Sequence, residues 1–90
     1  MHYEWDEEKA EANLGKHGVS FAEARTDFDD PLYVDFYDPE HSSDEHRYII
    51  IGRSRQGRLL LVSYTERGDM LRLISSREVT PAERGAYEEG

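Results

Sequence analysis

The second half of the chain is dominated by three short runs of β-branched, aromatic and aliphatic residues, Tyr48 to Arg53, Arg58 to Glu66 and Met70 to Ser76. Each is separated from the next by only a few turn residues. Runs so closely spaced pair as antiparallel neighbours, because a parallel connection needs a crossover of about a dozen residues. Gly68-Asp69 suits a two-residue II′ turn with glycine in first place, which predicts a tight hairpin between the last two runs. The triple-apolar centres Ile49-Ile50-Ile51 and Leu59-Leu60-Leu61 predict central strands covered on both faces.

The first half reads differently. MHYEW alternates loosely and predicts a short strand. Asp6 then N-caps a helix whose first turn carries Glu7 and Glu8, and Ala10, Asn13, Leu14 and His17 recur along one face. Gly18 closes it. Ser20 and Glu23 form a capping-box pattern opening a second helix, with Phe21, Ala24 and Phe28 as its buried stripe, ended by Asp30-Pro31. Leu32 to Tyr37 predicts a strand with acidic flanks, suited to a sheet edge. Asp38 to His46 reads as a polar loop. Thr80, Pro81 and Glu83 supply an N-cap, an N1 proline and an N3 glutamate for a last helix running towards Tyr87. The expected fold is α+β in the order β-α-α-β-β-β-β-α, one antiparallel sheet with the helices packed on one face.

Ninety residues suffice for one small domain, expected to span 1–90. With no cysteine, disulfide scaffolds, thiolate metal sites and thiol catalysis are excluded. No apolar run approaches the roughly 18 residues of a membrane span and no signal segment opens the chain, so a cytoplasmic protein is expected. The net charge of -9 argues against a nucleic-acid binder, whose affinity rests on neutralising phosphates. That total is unevenly distributed. Residues 1–46 hold 3 bases and 14 acids, whereas residues 47–90 hold 8 bases and 6 acids.

The tight turn at Gly68-Asp69 fixes a register. Arg67 should pair with Met70, Thr65 with Arg72, Ser63 with Ile74 and Leu61 with Ser76, all on one face. Leu60, Val62, Tyr64, Leu71 and Leu73 fall on the other, the expected core. Whether the preceding hairpin turns on two residues or four around Gln56-Gly57, parity places Ile49 and Ile51 with that core. Tyr48, Ile50 and Gly52 then join the arginine face, which shows Tyr48, Ser63, Thr65, Arg67, Arg72 and Ser76. Guanidinium groups bind phosphate bidentately, aromatic rings stack on unpaired bases, and hydroxyls donate to phosphate oxygens. The face reads either as a phosphate-binding, RNA-cleaving surface or as a solvated one whose arginines pair with nearby acids.

Other constellations are weaker. Lys16-His17 places a base and an imidazole at a helix C-terminus, suited to acid-base chemistry or simply to capping. His41 and His46 stand among Asp38, Glu40, Asp44 and Glu45, but their spacing matches no metal motif. Asp29-Asp30 before Pro31 fits a helix end and turn better than a glycosidase dyad.

The strings WDEEKAEANLGKHGVSFAEA, FDDPL, IGRS, GRLLLVSYTERGDMLRLISSRE and TPAERGAYEE together resemble the BrnT family of type II toxin-antitoxin toxins over almost the whole chain. The resemblance implies a RelE-like fold and a ribonuclease that halts translation without a metal or cofactor. It also implies a BrnA-like antitoxin with a ribbon-helix-helix segment, through which alone operator DNA is contacted. It places Lys16 and His17 on the family's K-H-G, Arg67 on Y-T-x-R, and Arg72, Arg77 and Glu78 on R-x-I-S-x-R. Ser76 and Val79 stand where smaller residues are expected. In the implied mechanism the RNA 2′-hydroxyl attacks the adjacent phosphate. Arg67, Arg72 and Arg77 bind phosphate and stabilise the transition state, and His17, or Glu78 in its place, moves the proton. Lys16, Tyr48, Arg53 and Arg55 are the further expected RNA contacts. Two rival functions remain: a non-catalytic module acting as an antitoxin-bound corepressor, and a metal-binding protein using His41 and His46.

Overall fold

A computed structural model describes residues 2–41 and 45–90. The elements run β1 (His2–Glu4), α1 (Glu7–His17), α2 (Phe21–Arg25), a 3-10 turn (Thr26–Asp29) and β2 (Val34–Asp38). A second 3-10 turn (Pro39–His41), β3 (Arg47–Arg53), β4 (Leu59–Arg67), β5 (Met70–Glu78) and α3 (Pro81–Glu89) follow. The order is the one the sequence predicts, and the caps form from the residues that announce them. The Asp6 carboxylate accepts from the Glu8 and Lys9 amides, and Gly18 ends α1 with φ +69°. Thr80 and Glu83 close a reciprocal capping box on α3. At α2 only half the expected box exists. Ser20 Oγ accepts from the Glu23 amide at 3.0 Å, but the Glu23 carboxylate turns instead to Arg58 and Ser54.

The five strands form one sheet in the order β1-β5-β4-β3-β2, with β2 at an edge as its acidic flanks suggest. The sheet is mixed, not antiparallel: β1 lies parallel to β5, Tyr3 opposite Leu71. Composition identifies a strand but not its direction. Because the rest of the chain intervenes between β1 and β5, no tight turn forces antiparallel pairing here. β1 covers β5 only over Met70 to Arg72, and Asn13 of α1 completes the edge beyond it. Its amide nitrogen donates to Ser76 O and Val19 O, both at 2.9 Å, and its oxygen accepts from Ser76 N at 3.0 Å.

α1 and α2 cover one face. The core between them and the sheet comprises Val19, Phe21, Ala24, Ile50, Leu60, Val62, Tyr64, Leu71 and Leu73. Tyr37, Tyr48, Tyr64, Phe28 and Tyr3 run across it as a chain of ring contacts 5.1–5.7 Å apart. α3 does not join this layer. It crosses the opposite face against β3, Tyr87 donates to Asp30 at 2.7 Å, and Gly90 sits against Val34. The helices therefore lie on both faces, and this explains why Ile51 and Leu59, on the far side from the main core, are each only 3% exposed.

Two local features reverse the expected facing of several side chains. The β3–β4 hairpin has a three-residue tip: Ser54 N donates to Arg58 O, Gly57 N donates to Ser54 O, and Gly57 has φ +88°. This odd-length loop, a turn followed by a left-handed glycine, sets Tyr48 opposite Tyr64 and Ile50 opposite Val62. Tyr48, Ile50 and Gly52 thus belong to the helix layer, and Ile49 and Ile51 to the other face. On β5 a bulge between Ser63 and Tyr64 of its partner strand puts two residues, Ile74 and Ser75, opposite one. Arg67 pairs with Met70 and Thr65 with Arg72 as expected, but beyond the bulge Ser63 meets Ser75 and Leu61 meets Arg77. Ser76 is carried into the helix layer, where it is 1% exposed. The missing glycine side chain matters at Gly52, where an added Cβ would lie 2.9 Å from the Asp27 carbonyl.

Candidate active site

On the face away from α1 and α2, the observed register aligns side chains in three rows across the sheet. The first holds Asp38, Arg47, Thr65, Arg72 and Glu4, the second Phe36, Ile49, Ser63 and Ser75, and the third Val34, Ile51, Leu61 and Arg77. Directly opposed residues in a sheet carry their Cβ atoms about 5 Å apart, so Arg47 and Arg72 flank Thr65. Between the rows lies a groove of about 280 Å³. Ile49, Leu61 and Ile74 make an apolar floor, Ser63 and Ser75 place hydroxyls on it, and Arg47, Arg77, Asp38, His41 and Glu83 form the polar lining.

Strand parity delivers Arg47 from β3, the bulge delivers Arg77 from β5, and the first turn of α3 delivers Glu83. Arg77 and Glu83 make a two-pronged ion pair with both contacts at 2.8 Å. That pair pulls the Glu83 carboxyl down to about 2 and raises Arg77 further. His41, at the end of the 3-10 turn after β2, has Nδ1 2.9 Å from Asp38 Oδ2. The two remaining arginines of this face are also partnered, Arg72 by Glu4 at 3.1 Å and Arg67 by Glu45 at 3.5 Å. The arrangement offers guanidinium groups for an anion, hydroxyls to orient it, and an imidazole held by a carboxylate.

The expected site residues do not all converge. Arg67, Arg72 and Arg77 share this face, but only Arg77 lines the groove. Tyr48 lies in the aromatic band of the helix layer, stacked on Tyr64 at 5.7 Å. His17 and Lys16 end α1, which packs against the edge of β5 within the helix layer, and neither lines the groove. Glu78 lies opposite Leu60, the parity of the helix layer, and pairs with Arg58 at 3.5 Å. Arg58 itself clamps the buried Glu23 carboxylate, lowering its pKa, and caps α1 through Gly18 O at 3.0 Å. Arg53 and Arg55 stand at the β3–β4 turn. Arg53 N donates to Asp30 at 2.8 Å, and Arg55 pairs with Asp29 at 3.1 Å.

Arg47, Asp38, His41, Ser75 and Glu83 are the polar groove residues that sequence reasoning left out of the site, and Ile49 was expected in the core instead. The signal for Arg47 was the glycine of R-S-R-Q-G-R, which permits a three-residue turn and would have set Arg47 opposite Thr65. Nothing in the β5 sequence marks the bulge. As for the suggested metal patch, His46 Nδ1 faces the Tyr37 hydroxyl at 3.1 Å while His41 takes Asp38. Its Asp44 lies outside the described residues. No group of three or more possible metal ligands occurs among the described residues.

A mixed sheet with α1 and α2 on one face, and α3 beside an arginine-bearing groove on the other, is similar to the fold of a solved ribonuclease toxin. The family model described as "Ribonuclease toxin, BrnT, of type II toxin-antitoxin system" matches residues 5–83, and the chain belongs to this family. Among solved structures, the crystal structure of the Brucella abortus ribonuclease toxin BrnT superposes with a TM-score of 0.64 at 25% sequence identity. The match covers 89% of this chain and 99% of that one. No curated protein shows a sequence match. No helix among the described residues is long and apolar enough to cross a membrane.

Proposed function

We propose that this chain is a metal-independent endoribonuclease that binds RNA phosphates on the open sheet face, inhibits translation, and is neutralised by a BrnA-like antitoxin in the cytoplasm. The whole of residues 1–90 acts as one toxin domain. The observation that carries this reading is the Arg47–Thr65–Arg72 row beside a groove lined by Arg77 and two serines. In the reaction the RNA 2′-hydroxyl attacks the adjacent phosphorus, and the arginines stabilise the charge that builds on the phosphoryl oxygens. Loss of one such donor typically costs about 10²–10³ in rate. Arg67 extends the cationic track towards the β4–β5 hairpin.

Purified protein incubated with end-labelled single-stranded RNA in EDTA tests the reading. Cleavage to fragments ending in 2′,3′-cyclic phosphate is expected, and an Arg47→Ala, Arg77→Ala double variant should cut at least about 100-fold more slowly. Intact RNA after incubation with the wild-type protein overturns it. A second reading, a non-catalytic module that serves as an antitoxin-bound corepressor, is favoured by one specific observation. Arg67, Arg72 and Arg77 each already face a carboxylate, in a chain of net charge -9. A stable antitoxin complex without RNA cleavage or growth arrest on induction of the free protein is the outcome it demands.

A further inference from the structure

We propose that His41, oriented by Asp38, is the proton-transfer residue of the groove, with Asp38 as its positioning residue. This rests on the ribonuclease reading and deepens it. Of the four histidines, His41 is the one that lines the groove; His2 lies on β1, His17 on α1, and His46 turns to Tyr37. A carboxylate on one imidazole nitrogen holds the proton there and leaves the other nitrogen as the acceptor. The 2.9 Å contact between His41 Nδ1 and Asp38 Oδ2 therefore presents Nε2 as a base. The His41 side chain is 62% exposed and Asp38 only 13%, so the imidazole is reachable by a polymer while its anchor is sheltered.

The other charged groups of the groove come from three different elements: Arg47 from β3, Arg77 from β5 and Glu83 from α3. The two arginines supply sites for the phosphate adjoining the attacked bond. The step balances without a co-reactant. His41 Nε2 takes the 2′-hydroxyl proton, O2′ bonds to phosphorus, and the bond from phosphorus to the 5′ oxygen breaks. That oxygen takes a proton from solvent, the imidazolium returns its own to solvent, and the products are a 2′,3′-cyclic phosphate and a 5′-hydroxyl.

The test compares wild type, His41→Ala and Asp38→Asn on a short single-stranded RNA. Binding is measured on the same oligonucleotide with 2′-deoxyribose throughout, which cannot react. His41→Ala should lower kcat by about 10²–10⁴-fold, the usual range for a lost proton-transfer group. Its affinity for the deoxy analogue should stay within about threefold of wild type, and added imidazole should restore part of kcat. Asp38→Asn should lower kcat by about tenfold or more and displace the pH–rate profile. Wild-type rates in His41→Ala, or a loss of analogue binding as large as the loss of kcat, overturn the assignment while leaving the ribonuclease reading intact. Absence of cleavage by the wild-type protein overturns both.

Discussion

Replacing Asp27 by asparagine is expected to stabilise the protein at neutral pH and to flatten its dependence on pH. Asp27 is fully buried, and neither carboxylate oxygen meets a donor in hydrogen-bonding geometry. Burial pushes its carboxyl up to about 9; the nearby Gly52 backbone offsets this only in part, and Asp30 and Glu23 push it further upward. The folded chain thus holds a proton that the unfolded chain releases near the ordinary value of 3.8. Below that pH the group adds no ionisation cost. As pH rises from about 4 towards 9, stability falls by roughly 1.4 kcal/mol per unit, reaching a cost of about 4 kcal/mol at pH 7. Asparagine is neutral at every pH, but its amide needs partners of its own, so a gain of about 2–4 kcal/mol at pH 7 is expected. The paired carboxyls Glu23, Asp30 and Glu83 are held below their ordinary values, and their contributions are lost only in acid. They do not mask the effect between pH 5 and 8. Urea unfolding at pH 4, 5, 6, 7 and 8 checks this. Near pH 4 the two proteins should agree within about 1 kcal/mol, with the gap widening upward. Wild-type stability that rises or stays level from pH 5 to 8, or a variant equally destabilised at pH 4 and pH 7, refutes the reasoning.

Asn13→Ala strips partners from both Ser76 backbone groups and Val19 O, and should cost about 2–4 kcal/mol in denaturant unfolding. Gly52→Ala forces a methyl group against the Asp27 carbonyl and should cost about 1–3 kcal/mol; unchanged stability would show that the 3-10 turn yields easily. Glu83→Gln keeps a side chain able to cap α3 but removes the charge competing for Arg77. Affinity for a deoxyribose oligonucleotide should rise about three- to tenfold, in line with the modest worth of partly exposed ion pairs, and a fall of that size would mean that Glu83 positions Arg77 instead.

Most of the element order was legible because it rests on local chemistry. Asp6, Gly18, Ser20, Thr80 and Pro81 each act within a few residues of themselves, and the structure places helix ends where they stand. Facing was legible only where a turn of known length fixed it. From Arg67 and Met70 the register runs correctly back to Thr65 and Arg72, then fails at the bulge. The run of three isoleucines in β3 could not correct the error, since both parities bury one or two of them. On the second face Ile51 is buried beside α3, while Ile49 floors the groove. The site suffered accordingly: Arg77 was identified, but Arg47 and His41 were not placed with it. A turn of odd length and a remote register set the first, and a side-chain contact after β2 set the second.

The bulge has an evolutionary corollary. In a strand of fixed register, losing one residue exchanges the two faces for everything beyond the loss. At Ile74 it does not, because the supernumerary residue is already absorbed as a kink and the partners of Ser75 and Arg77 are unchanged when it is removed. A chain shortened by one residue at Leu73 or Ile74 should keep its guanidinium on the same side of a straighter β5, since an isoleucine or a leucine is then left opposite Tyr64. Loss of one residue is thus tolerated around the bulge, where the extra residue can disappear without turning the far end of the strand over.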